Sequence, residues 1–245
     1  MRRAVPWAKC RSFVDDAPVV ETLVLSPSLG STRAIWDRQV PAFEPRFRLV
    51  RHEHRGRDSV EALAKDVLDL LDSEGVERAS FCGVSLGGVV GMWLAASAPE
   101  RIDRLVLAAT SAHFGPPEPW RERAALVRAE GTGPIVDATM DRWFTPAFQE
   151  REPFRRMLLE SPREDYAACC EAIANWDFRD ELRKISAPTV VITGADDPTA
   201  GPAHAQLLAE EIPDAVLVVF PDTAHMIVVE RADAFNAAAL DHLTQ

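Results

Sequence analysis

Apolar and polar positions change their period repeatedly along this chain, and the changes mark its elements. Residues 19–26 (V-V-E-T-L-V-L-S) form a nearly continuous apolar run, which predicts a mostly buried strand, and lead into the turn formers Pro27, Ser28, Leu29 and Gly30. Residues 36–43 read as a short helix and loop, and residues 47–52 (F-R-L-V-R-H) as a second strand. Asp58 can cap a helix with Glu61 three positions on; Val60, Leu63, Ala64, Val67, Leu70 and Leu71 then fall along one face. Residues 79–82 are a third apolar run, followed through residue 96 by apolar positions at helical spacing, and residues 104–109 (R-L-V-L-A-A) predict another strand. Strand and helix alternate in a way that predicts a parallel sheet with right-handed crossovers and helices on both faces.

From about residue 114 to 183 the alternation stops. P-P-E-P at 116–119 opens a stretch with helical patterns over 120–129, 135–144 and 154–182, and with no convincing strand. It then resumes with strands at 188–193 and 215–220, a helix near 203–211 and a closing helix over 233–243. The expectation is one α/β domain carrying an inserted helical cap: core over 1–113, cap over 114–184, core again over 185–245. Residues 1–18 are too irregular to assign.

Charge narrows the choice of partner. Lys and Arg number 27 against 38 Asp and Glu, a formal charge of −11, which argues against a general nucleic-acid or anionic-membrane surface and for a small molecule. An anionic substrate would then need a local cation. The four cysteines (Cys10, Cys82, Cys169, Cys170) show no C-x-x-C spacing, the N-terminus lacks a secretory apolar region, and no run reaches membrane-span length. A reduced, cytoplasmic protein is expected.

The chemistry centres on Gly83-Val84-Ser85-Leu86-Gly87, between a strand and a helix. Such a turn lifts a serine hydroxyl above the sheet edge, and glycines let strand and helix approach. A serine needs a base and a carboxylate that orients the base, expected in the chain order Ser, acid, His at strand ends. Gly194-Ala195-Asp196-Asp197-Pro198 and Pro221-Asp222-Thr223-Ala224-His225 follow the last two strands and supply both. Asp197 is preferred to Asp196 because Pro198 restricts it to extended conformations, and Asp222 shares a loop with His225, which makes it a turn residue. The backbone N–H groups of Leu86 and Leu29 are the candidate oxyanion donors. His52 and His54 have the H-x-H spacing of a metal pair but no accompanying His or Cys cluster, so no metal is expected.

S-L-G at 28–30, W-D-R-Q-V-P at 36–41, G-V-S-L-G-G at 83–88, R-W-F-T-P at 142–146, Y-A-A-C-C-E-A-I at 166–173, A-P-T-V-V-I-T-G-A-D-D-P at 187–198 and A-H at 224–225 give the chain a family likeness. It resembles the α/β-hydrolases and, more narrowly, the 3-oxoadipate enol-lactonases of the β-ketoadipate pathway of aromatic degradation. The likeness runs from about Leu23 to the C-terminus, and its cap motifs are the more specific part. The resemblance implies that His225 deprotonates Ser85, Ser85 attacks the lactone carbonyl, Leu29 and Leu86 hold the oxyanion, an enolate leaves, and water frees the acid. It implies no metal or organic cofactor and a small anionic lactone or ester as partner. Arg142 beside Trp143 becomes the candidate for the substrate carboxylate, with Trp36 and Tyr166 as further contacts and Cys169 and Cys170 as packing.

The chain departs from this family in two places. Its members usually begin with a β-hairpin, for which residues 1–18 are short and irregular, and carry R-G-H-G-x-S with several more residues before the next helix. Here Arg55-Gly56-Arg57-Asp58-Ser59 runs straight into that helix. The alternatives are a carboxylesterase or carbon–carbon bond hydrolase of the same fold, and a non-catalytic ligand-binding relative. The intact Ser, Asp and His set argues against the last.

Overall fold

Six parallel strands form one sheet in the order β2-β1-β3-β4-β5-β6 in the computed structural model, which describes residues 20–245. The strands are β1 (Thr22–Ser26), β2 (Arg48–Arg51), β3 (Ala79–Val84), β4 (Ile102–Ala108), β5 (Thr189–Gly194) and β6 (Val216–Phe220). Expectations for residues 1–18, with Cys10, lie outside the described residues. Helices cover both faces: α1 (Val40–Phe43), α2 (Val60–Ser73), α3 (Leu86–Ser97), α4 (Pro117–Glu130), α5 (Val136–Trp143), α6 (Glu152–Leu159), α7 (Arg163–Ala174), α8 (Pro202–Glu211), α9 (Ile227–Glu230) and α10 (Ala232–Leu243).

Strand pleating divides the core in two. Leu23 and Leu25 of β1 and Cys82 and Val84 of β3 face one cluster, while Val24 and Phe81 face the other, as a period of two requires. Strands β1, β3 and β5 are buried throughout and read as continuous apolar runs, whereas the edge strands β2 and β6 are partly exposed. One helix start differs from expectation. Ser59, not Asp58, caps α2, because its hydroxyl lies 3.3 Å from the Ala62 N–H, the third residue of the helix.

Between β4 and β5 the described chain has helices α4 to α7, short 3₁₀ pieces and one isolated bridge between His113 and Asp177, but no strand. This insertion shares a core with the sheet: Phe144, Leu158 and Tyr166 lie in the cluster that holds Leu25 and Val84. From β1 the chain steps outward to β2 and returns to β3 on the other side of β1. The carboxyl ends of β1 and β3 therefore flank a topological switch point, the crevice where open parallel sheets bind ligands.

Candidate active site

Ser85 stands at that crevice, between β3 and α3, with φ 55° and ψ −111°. A positive φ is unfavourable for any residue with a Cβ, and a position of this kind stores about 1–3 kcal/mol held by its surroundings. Here the Ser85 N–H donates to the Ala108 carbonyl (2.9 Å), and the Ser85 carbonyl accepts from Thr110 Oγ1 (2.7 Å). Two glycines are required by close approach alone. A Cβ on Gly83 would overlap the Gly87 backbone, and one on Gly87 would overlap the Ser26 carbonyl oxygen. The hydroxyl is nearly buried, with Ser85 7% exposed, and Ser85 Oγ has no hydrogen-bond partner among the described residues.

The loops after β5 and β6 bring the other two candidates together. His225 Nδ1 and Asp197 Oδ2 lie 2.8 Å apart, and their side chains are 4% and 0% exposed. The second carboxylate oxygen of Asp197 accepts from the Thr199 (2.7 Å) and Ala200 (3.1 Å) N–H groups. Burial alone would raise the Asp197 pKa, but attraction to His225, its hydrogen bond, and the two backbone donors together hold it below the ordinary carboxylate value. Asp197 thus stays ionised and orients the ring, leaving His225 Nε2 free of any hydrogen bond among the described residues. Asp196 and Asp222 are exposed and take no part in this pair.

Leu29 follows β1 and Leu86 opens α3. Neither N–H donates to a protein acceptor among the described residues, so both remain available to an oxyanion. The loop carrying Leu29 is tightly tied. Ser31 Oγ accepts from the Ser28 N–H (3.0 Å) and donates to the Ser28 carbonyl (2.9 Å), and Gly30 turns the chain at φ +73°.

The insertion meets the histidine loop directly. The His225 and Met226 N–H groups donate to the Arg142 (3.4 Å) and Trp143 (2.8 Å) carbonyls at the end of α5. Glu230, which no sequence pattern singled out, anchors the same joint by accepting from the Ala224 N–H (2.8 Å), the Thr145 N–H (3.0 Å) and the Thr145 hydroxyl. Arg142 is half-buried and donates to Thr139 Oγ1 (3.0 Å). Burial, then the charge of Arg123, pull its pKa below the ordinary guanidinium value, with the nearby Tyr166 and Asp141 opposing. Arg123, also missed in the sequence, stands over the Trp120 ring at 5.2 Å. Its signal was the i, i+3 spacing of Trp120 and Arg123 on α4. Neither guanidinium has a carboxylate within 4.0 Å among the described residues.

Other expected contacts lie elsewhere. Trp36 is fully buried against Phe235, at 6.2 Å between ring centroids, and Trp143 is 4% exposed and packs edge-on to Phe144. Both serve the core, because indole area is more stabilising there than at a solvent-filled site. Tyr166 is buried, which pushes its hydroxyl up to about 12, and it lines a cavity of about 1200 Å³ with Leu29, Leu86 and Arg55. That cavity opens on the oxyanion side of the crevice, and Ser85 and His225 are not on its wall. Of the 55–59 connection only Arg55 is on its wall. Cys169 and Cys170 are buried with pKa values pushed up to about 12, which keeps them protonated packing groups. No group of three or more potential metal ligands occurs among the described residues, and no helix there is long and apolar enough to cross a membrane.

A family model described as the alpha/beta hydrolase family matches residues 23–238. The chain is 37% identical to 3-oxoadipate enol-lactonase 2 of Acinetobacter baylyi, over 88% of this chain and 86% of that protein. It is 30% identical to a putative carbamate hydrolase, RutD, of a Caulobacter species, over 91% of each. Among solved structures it resembles the enol-lactonase from Burkholderia xenovorans LB400, at 40% identity, 92% coverage of both chains and a TM-score of 0.89.

Proposed function

The chain belongs to the alpha/beta hydrolase family and is a carboxylic ester hydrolase, and within that class we propose that it opens 3-oxoadipate enol-lactone to 3-oxoadipate by a serine mechanism. His225, held by Asp197, takes the Ser85 proton as Ser85 Oγ attacks the lactone carbonyl. The developing oxyanion accepts from the Leu29 and Leu86 N–H groups. Collapse breaks the ring C–O bond; the leaving enolate takes from His225 the proton that came from Ser85 and becomes a ketone, which returns His225 to its neutral form. Water deprotonated by His225 then cleaves the acyl-enzyme and restores Ser85. In this reading the insertion over residues 114–184 is a cap that closes the site.

One observation carries the substrate choice. In a chain of net charge −11, two partly buried guanidiniums, Arg123 and Arg142, lie close enough to each other and to Tyr166 to feel one another's charge, and have no acidic partner within 4.0 Å among the described residues. Unpaired buried cations are unfavourable unless an anion arrives, and the lactone's carboxylate supplies one. Replacing Arg142 with Gln is expected to raise KM for the lactone roughly 10- to 100-fold, from the strength of a charged hydrogen bond. A neutral p-nitrophenyl ester should change less than about 2-fold. Good turnover of simple esters with none of this lactone would defeat the proposal. The 1200 Å³ cavity favours a second reading, an esterase for bulkier substrates, which a preference for long neutral esters over the lactone would support.

A further inference from the structure

His52 and His54 have no place in the chemistry above, yet both stand beside the oxyanion loop, on the wall of the cavity that Leu29 also lines. His52 Nδ1 lies 3.3 Å from Ser26 Oγ, at the end of β1. His54 Nε2 lies 2.8 Å from the Pro27 carbonyl oxygen. A carbonyl only accepts, so the His54 proton is on Nε2 and Nδ1 is the bare nitrogen. The two rings meet edge to face, with centroids 5.0 Å apart and planes at 83°.

The Pro27 carbonyl has a second donor, the Gly87 N–H at 3.0 Å. Both lone pairs of one oxygen are therefore occupied, by groups from two separate parts of the chain. Pro27 lies two residues before Leu29, and Gly87 one residue after Leu86. One oxygen thus joins the segments that carry the two candidate oxyanion donors. The joint is close, since a Cβ on Gly87 would meet the backbone of Ser26 and Pro27.

We propose that His54 is a positioning residue of the oxyanion hole: its Nε2–H, given to the Pro27 carbonyl, holds the Leu29 loop and the start of α3 in register with each other. The other nitrogen of each ring, His54 Nδ1 and His52 Nε2, is buried without a hydrogen-bond partner in the described structure. A side chain serving only to fill this space would be apolar, because a buried unpartnered nitrogen is unfavourable. Burial also keeps the rings neutral, lowering His54 to about 4 and His52 to about 3, so the same tautomer can persist throughout the neutral range. His52, stacked at the edge of His54 and bonded to Ser26, braces the ring.

The role rests on the serine-hydrolase reading, and the two can fail separately. The test compares His54→Gln, whose amide N–H reaches as far as Nε2, with His54→Asn and His54→Ala, which lose that donor. With p-nitrophenyl acetate, Asn and Ala are expected to lower kcat about 10-fold with KM within about 2-fold, below the ~10²–10³ loss from removing an oxyanion donor itself. Gln should restore kcat to within about 2-fold. Binding of phenylboronic acid, whose adduct with Ser85 mimics the tetrahedral state, should weaken by the same factor as kcat. The Gln and Asn pair, which carry the same amide one methylene apart, decides the matter if Ala fails to fold. Unchanged kcat and boronate affinity in His54→Asn, or equal losses in Asn and Gln, would overturn the joint while wild-type turnover stood. No Ser85-dependent turnover in the wild type would overturn the hydrolase reading, and this role with it.

Discussion

The crevice between β1 and β3 and the helical insertion above it are built by opposite means. At the crevice the candidate reacting groups are placed by backbone: a serine at φ 55°, glycines with no room for a Cβ, carbonyls and N–H groups paired between neighbouring segments. In the insertion the notable groups are side chains without an acidic partner among the described residues, Arg123 and Arg142, beside Tyr166. Backbone hydrogen bonds across a sheet fix positions to fractions of an ångström, which bond-making requires. Long cationic side chains adapt to a ligand's charge. The contrast suggests that reaction type is invested in the sheet and substrate choice in the helices.

The largest expected effect comes from the centre of the crevice. Replacing Ser85 with Ala should reduce ester hydrolysis by at least about 10³-fold, and an unaltered circular dichroism spectrum would show that chemistry alone was lost. Retained turnover would remove Ser85 from the mechanism. A glycine pair probes the contrast in stability. Gly87→Ala, forced against the Ser26 carbonyl, should cost about 3 kcal/mol or more in urea unfolding, whereas Gly133→Ala in the insertion, with open space at its Cβ, should change it by no more than about 1 kcal/mol. Equal effects would mean that the crevice is no more constrained than the helices.

A smaller effect concerns pH. His52 and His54 have folded pKa values of about 3 and about 4, below the 6.5 of a free histidine. The unfolded chain therefore binds more protons than the folded one as pH falls below 6.5, and stability is lost in that direction. Each such proton is worth about 1.4 kcal/mol per pH unit, which predicts a fall in Tm of roughly 5–10 °C between about pH 7 and about pH 5. His204 and His242, also lowered by burial, add to the slope, so His54→Gln should flatten it without abolishing it, and a profile the same as wild type would show that His54 is not buried neutral.

Local pattern reached far in this protein. The strands around the elbow, the helix after Ser85 and the helical stretch from 114 onward follow from periodicities of 2 and 3.6, which every short window of sequence carries. The pairing of Asp197 with His225 was legible because strand ends in this architecture converge on one edge. The preference for Asp197 over Asp196 could be argued from Pro198, a neighbour in sequence.

What lay beyond reach involves partners far apart in the chain. The indoles of Trp36 and Trp143 have the chemistry of ligand contacts, but Phe235 and Phe144 pack against them in the core. Glu230 ties Thr145 to Ala224, Arg123 faces Arg142 from another helix, and His54 meets Pro27 across 27 positions. No periodicity encodes such meetings. The sequence by itself determined the elements, their order and the three candidate reactive side chains, because those depend on local pattern and topology. Only the tertiary structure decided which side chains are core, which charges stand alone and which carbonyl joins the oxyanion loop to the elbow, because packing brings those groups together only after the sheet has formed.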